Sequence, residues 1–265
     1  YVNGSAAITN LGFREATAFV DVPIDAVLGV AVAGSPAVIP LGQLNLTSGE
    51  SYVYIAQGIL PTSTGYDASV QTANGGSIDF ELVELAPADT SAMAGMIDIA
   101  PIHGGTDADT VDLLANGNLL VDNLAYGDPI GYASVPATEY LLQITPYNDN
   151  STIVASYLID LAPLAGEGVV VFASGFLNPA NNNGGAAFGL FAVGRAGGAA
   201  IEIPAITIGN ARAQVIHNSA DPDAATVDVY VDLRTDTVKF DDFAFRTASA
   251  FTDLPSGYEI NITIA

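Results

Sequence analysis

The chain has 265 residues, half of them hydrophobic, and its 29 acidic residues against six basic ones give a formal net charge of −23. Core-forming material is ample, so disorder is excluded over most of the length. A surface this acidic repels DNA, RNA and anionic lipid, which excludes nucleic-acid binding; it fits a protein exposed to salt, or one that collects divalent cations. No cysteine is present. This argues against a disulfide-stapled eukaryotic module, but not against a bacterial or archaeal surface protein. No apolar run reaches about 18 residues, so no transmembrane helix and no membrane insertion are expected. Nor does a signal peptide open the chain.

The first residues, Tyr1-Val2-Asn3-Gly4, read as the middle of a strand. Either a segment has been removed before them, or the sequence is a window on a longer chain. Residues 1–23 contain Asn10-Leu11-Gly12-Phe13 and close on Val20-Asp21-Val22-Pro23. The pattern returns at 114–136, with Asn123-Leu124-Ala125-Tyr126 and Ala133-Ser134-Val135-Pro136. It returns again at 230–255, with Asp242-Phe243-Ala244-Phe245 and Thr252-Asp253-Leu254-Pro255. A separate anchor, Gly58-Ile59-Leu60-Pro61, matches Gly175-Phe176-Leu177-Asn178-Pro179. All recur at nearly one offset, about 115 residues, which is the mark of a repeat architecture. Three segments are therefore expected: 1–90, a β-sandwich repeat lacking its first strand; 91–204, a complete repeat; and 205–265, the N-terminal half of another.

Within 91–204 the pattern is strand throughout. Short runs are expected at 96–102, 111–115, 119–124, 131–135, 139–145, 152–159, 169–176 and 187–193. Asn116-Gly117 is a type I′ hairpin signal, and Asn148-Asp149-Asn150 marks a second turn. The run at 169–176 is almost continuously apolar, as a buried central strand should be. Seven or eight short strands without a convincing amphipathic helix predict an all-β fold of tandem immunoglobulin-like antiparallel β-sandwiches. With neither cysteine nor tryptophan, the antibody-type core is absent and the likeness is architectural.

The passage at 211–231 reads ARAQVIHNSADPDAATVDVYV: strand, histidine, acidic loop, strand. It has a counterpart at 96–114, MIDIAPIHGGTDADTVDLL, where Gly104-Gly105 replaces the Asn-Ser after the histidine. With its following Asn-Leu-x-Phe/Tyr-like phrase and Leu-Pro-Ser-Gly turn, this motif resembles an uncharacterised β-sandwich repeat domain of secreted bacterial and archaeal surface proteins. The resemblance is tight at 211–257, looser at 97–137, and covers essentially the whole chain. It implies an extracellular or cell-surface module without assigned activity, usually found in tandem.

His103 and His217 are the only histidines and occupy one position in two copies. With no cysteine and no third histidine, a zinc site is hard to assemble, and a structural role closing the next loop is expected. The acidic loops are better candidates. Asp107, Asp109 and Asp112 in one, and Asp221, Asp223 and Asp228 in the other, offer hard oxygen ligands for calcium. Asx-turn formation accounts for the same residues, and Asp228 should point away from the face of Val227, Val229 and Val231. No other cofactor is indicated. Sequons at Asn3, Asn45, Asn150 and Asn261 can carry glycans in a secreted chain.

Nothing assembles a nucleophile, an acid pair or a phosphate loop, so no enzymatic activity is expected. The expected role is structural: a subunit of an extracellular filament or tandem-repeat array, self-associating by strand pairing at its incomplete ends. The tail overlaps the segment it would complete, so some strands would be swapped or left over. The alternative is a surface module for calcium-dependent adhesion or polysaccharide binding.

Overall fold

The computed structural model describes residues 1–35, 37–85, 87–88 and 91–265. Thr90, at the boundary expected between the first two segments, lies outside them. With 46% of residues in strands and 5% in helix, the protein is all-β.

The first part of the chain forms β1 (Glu15–Ala16), β2 (Val27–Val30), β3 (Ile39–Gln43), β4 (Val53–Gln57) and β5 (Glu81–Leu85). A short helix, α1 (Ser69–Ala73), separates the last two. The middle carries β6 (Met96–Gly104), β7 (Val111–Ala115), β8 (Asn118–Leu124) and β9 (Ala133–Pro136). It continues through β10 (Glu139–Pro146), β11 (Ala155–Asp160), β12 (Gly168–Ser174) and β13 (Gly189–Gly194). Three short strands follow, β14 (Gly198–Ala199), β15 (Ile201–Ile203) and β16 (Ala205–Ile206). The last part forms β17 (Gly209–Ala213), β18 (Thr226–Asp232), β19 (Thr237–Ala244), β20 (Thr252–Ser256) and β21 (Asn261–Ile264).

All eight strands expected between residues 91 and 204 are present as β6 to β13. At the first hairpin Asn116 and Gly117 both take positive φ, 49° and 76°, as a type I′ turn requires. One pairing departs from an all-antiparallel reading: β12 lies parallel to β6, from Gly168 opposite Asp98 to Ser174 opposite Gly104. Strand direction leaves no trace in an apolar run, so only the topology reveals it.

The chain divides into two compact units. The first comprises residues 1–110, 123–139 and 160–204, and the second 111–122, 140–159 and 205–265. The stretch 91–204 thus contributes strands to both.

In the first unit a five-stranded sheet runs β15-β13-β12-β6-β9, with β6 and β12 inside it. The hairpin β4–β5 lies over one face. Leu85, Ala100, Ile102 and Val170 form a buried cluster there, with Val53, Ile55, Tyr132, Phe172 and Val193 packed against it. Ile102 is 2% exposed, and burying such a side chain is worth about 1.5–3 kcal/mol. Val169 and Val171, alternate residues on the opposite face, are also buried. That explains the continuous apolar run, since both faces of β12 are buried over residues 169–171. Pro101 is tolerated in the middle of β6 because the antiparallel pairing with β9 stops at Ile99.

In the second unit one sheet runs β16-β11-β10-β7-β8, a second is the pair β17–β20, and a third runs β19-β18-β21. The pair packs face to face on the three-stranded sheet. Val231, Leu233 and Leu254 are buried at the contact, with Ala213, Val238, Phe240 and Ile260 around them. This is sandwich packing with alternate side chains turned inward.

The pairings recur. β17 pairs antiparallel with β20, as β6 does with β9. β21 pairs antiparallel with β18, as β10 does with β7. β4 pairs with β5 as β12 does with β13. Backbone outliers recur too: Asn10, Asn123 and Asp242 all take φ between 51° and 59°.

Gly58 and Gly175 follow β4 and β12, with φ of +84° and +92°. A Cβ there would lie 2.2 Å from the Asp79 carbonyl oxygen in one case and 2.3 Å from that of Ala187 in the other. Close backbone approach and a left-handed conformation both demand glycine. Gly175→Ala is therefore expected to cost at least about 2 kcal/mol in urea unfolding. Gly184→Ala, at φ +66° in open space, should lose about 1 kcal/mol. Equal losses would refute the steric argument.

Candidate functional site

His103 ends the buried part of β6 and is 2% exposed. Its Nε2–H donates to the Asp109 carbonyl oxygen at 2.9 Å, and its Nδ1 accepts from the Gly105 amide at 3.3 Å. The network therefore assigns a neutral ring protonated on Nε2. The Tyr126 ring meets the imidazole edge-on, with centroids 6.3 Å apart, and the Gly127 amide donates to the His103 carbonyl at 3.1 Å.

His217 repeats the arrangement. Nε2–H donates to the Ala224 carbonyl at 2.7 Å, Nδ1 accepts from the Ser219 amide at 3.4 Å, and Phe245 supplies the edge-on ring at 6.1 Å. The Arg246 amide donates to the His217 carbonyl at 2.8 Å. In both places the imidazole is tied to the acidic loop beyond it, His103 from within β6 and His217 from beside the isolated bridge of Ile216 with Ala248. Both ring nitrogens are spent on backbone, which leaves neither for a metal or a substrate proton.

The carboxylates of the first loop are spread out. Asp107 accepts from the Leu177 and Asn178 amides, each at 2.8 Å, and from Asn182 Nδ2 at 3.1 Å. Asn182, 1% exposed, also accepts from the Asp67 amide at 2.9 Å. Its burial shows that it organises the loop around it. Asp109 accepts from Asn74 Nδ2 and from the Thr110 amide, both at 2.8 Å. Asp112 is 1% exposed within β7, beside Thr145 on β10.

In the second loop Asp221 caps a short 3-10 turn, Pro222–Ala224, by accepting from the Asp223 amide. Asp223 is exposed. Asp228 turns away from buried Val229 and Val231, as its place in β18 requires.

Among the described residues, three acidic side chains converge in one place, Asp228, Asp241 and Asp242. Of these, the sequence singles out Asp228 alone. The group already holds a cation. Lys239 Nζ lies 3.0 Å from Asp228 and 2.7 Å from Asp241. The Asp242 amide donates to Asp228 at 2.9 Å; that bond, and then Lys239, hold the Asp228 carboxyl below the usual carboxylate range. Asp241 first, and Asp228 next, push the Lys239 ammonium above its ordinary value. Calcium here would have to displace an ammonium already paired on two sides.

A cavity of ≈ 170 Å³ opens between residues 59–66 and Ile78–Asp79. It is smaller than the roughly 300–1,000 Å³ of small-molecule sites. The sequon asparagines Asn3, Asn45, Asn150 and Asn261 are all exposed. No helix among the described residues is long and apolar enough to cross a membrane.

Burial pushes the His103 imidazole below its ordinary value, outweighing the carbonyl of Asp109, which favours the charged form. A proton on Nδ1 would also take the acceptor from the Gly105 amide. The unfolded chain therefore binds this proton first. Its contribution to stability is complete above about pH 6.5 and declines as the pH falls below that value. Urea midpoints at pH 7.5 and 5.0 should differ more in the parent than in His103→Gln. The same difference in both would show that the clasp carries no pH dependence.

No curated protein and no solved structure matches the chain. Residues 97–208 match the family model described as Domain of unknown function (DUF4397). The matched stretch runs from β6 to the threshold of β17, and so includes the His103 clasp and the strands on either side of it.

Proposed function

We propose that the protein is a structural component of an extracellular surface filament or fibre, built in tandem from one β-sandwich unit and held together by strand pairing between units. The observation that carries this reading is the recurrence of the same strand pairs with different completeness. β6 has a strand on each side, β9 and β12, whereas its counterpart β17 has only β20 among the described residues. A strand with one bonded edge presents unpaired amides and carbonyls to any chain that can match them. The two histidine clasps support the same reading. A buried neutral imidazole fixed to backbone on both nitrogens fastens a loop, and repeating it suits a building block. The charge of −23 would keep the outside of an assembly hydrated. Glycans at the exposed sequons would add to that outer surface.

A second reading, calcium-dependent binding of a surface or polysaccharide, draws on the convergence of Asp228, Asp241 and Asp242. It requires a rise in melting temperature with millimolar calcium that Asp228→Asn abolishes.

For the structural reading, negative-stain electron microscopy of the purified protein at rising concentration should show ordered fibres of uniform width. Sedimentation should show mass growing with concentration. A monodisperse monomer across the whole range would overturn the proposal.

A further inference from the structure

We infer that the end of β17 and the residues following it, as far as His217, pair in parallel with β4 of a second copy, in the register that β6 and β12 adopt within the chain. The inference rests on the self-association proposed above and names its joint.

Both halves of the joint occur in the chain with their partners on one side only. β17–β20 reproduces β6–β9, so the open edge of β17 is the edge that β6 gives to β12. β4–β5 reproduces β12–β13, so the open edge of β4 is the edge that β12 gives to β6. Among the described residues β4 pairs only with β5, and β17 only with β20. Transferring the register of the joined pair sets Gln214 opposite Val53, as Ala100 is opposite Val170. It sets Ile216 opposite Ile55, as Ile102 is opposite Phe172.

Burial points the same way. Ala100 and Ile102 are 0% and 2% exposed because Val53, Ile55 and Leu85 of the β4–β5 hairpin pack over that face. At the equivalent places just beyond β17, Gln214 is exposed and Ile216, in an isolated bridge with Ala248, is 65% exposed. Beside β4, Ile216 would stand next to Ile55 on the face through which Val53 and Ile55 already pack. The joint thus extends an existing apolar interface rather than founding a new one. Charge agrees: Arg212, one of six basic residues in the chain, would come opposite Ser51 and beside Glu50.

The pairing has a defined end. Gly104 is needed in β6 because a Cβ there would lie 2.6 Å from the Ala173 carbonyl oxygen. Its counterpart beyond β17 is Asn218, which would meet the corresponding carbonyl of Ala56 on β4. The intermolecular ladder therefore runs from Arg212 to His217 and stops.

Because the chain has no cysteine, the joint can be trapped cleanly. Gln214→Cys and Val53→Cys are made in separate chains, mixed, oxidised under fibre-forming conditions and run on a denaturing gel. A cross-linked dimer should exceed by at least about tenfold that from a mixture of Gln214→Cys with Gln57→Cys, which is out of register. Ile216→Lys should abolish fibres while leaving the monomer's melting temperature nearly unchanged, because the side chain is mostly exposed there. Fibres that form without the in-register cross-link, or that persist in Ile216→Lys, would overturn this joint and leave self-association standing. Absence of both fibres and cross-links in the cysteine variants, and of fibres in the parent, would overturn both.

Discussion

The parallel pairing of β6 with β12 is the constraint on which the first unit depends. It places two apolar strands side by side inside a sheet whose alternate residues are buried on both faces. Parallel strands cannot be joined by a tight turn, so a long excursion must leave β6 and come back before β12 can be laid down. Residues 105–167 are that excursion, and part of them builds a sheet of the second unit. Gly104 marks where this close pairing begins to turn outward, since the Ala173 carbonyl stands where its side chain would have to start; Gly175 meets the Ala187 carbonyl in the same way on the side of β13.

The histidine positions show how a single polar residue can serve a buried strand end. A carbonyl six residues on and an amide two residues on are both satisfied by one neutral ring, and an aromatic side chain meets it edge-on. His217 keeps all three contacts although the residues after it are Asn-Ser rather than Gly-Gly. The two places differ at the neighbouring strand: β6 pairs with both β9 and β12, whereas among the described residues β17 pairs only with β20.

Much of this was legible in the residues. Alternation gave the strands from β6 to β13, and Asn116-Gly117 gave the hairpin, because those signals are local and chemically specific. The loop-closing role of the histidines and the outward turn of Asp228 followed from their places in the pattern; the burial of the imidazoles did not. What stayed hidden was non-local. Nothing in the run Val169-Val170-Val171-Phe172 distinguishes parallel from antiparallel partners, and a covering hairpin from residues 53–85 has no signature in β6 itself. The acidic residues were visible, but their partners were not. Asp107 is held by amides some seventy residues away in the chain, and the cation beside Asp228 is a lysine on the adjacent strand.

The clasps also bear on the order in which the chain can acquire its structure. His103 reaches a carbonyl six residues on, and His217 one seven residues on, so each closes a very small loop. Bringing Asp98 beside Gly168 closes one of roughly seventy residues, which costs about 2 kcal/mol more in loop entropy. Local closure is therefore favoured to precede the long-range ladder. A strand end already fastened by its imidazole enters the search for a parallel neighbour with its last residues prearranged. The same small ring can set the segment that follows β17 before any partner strand has arrived.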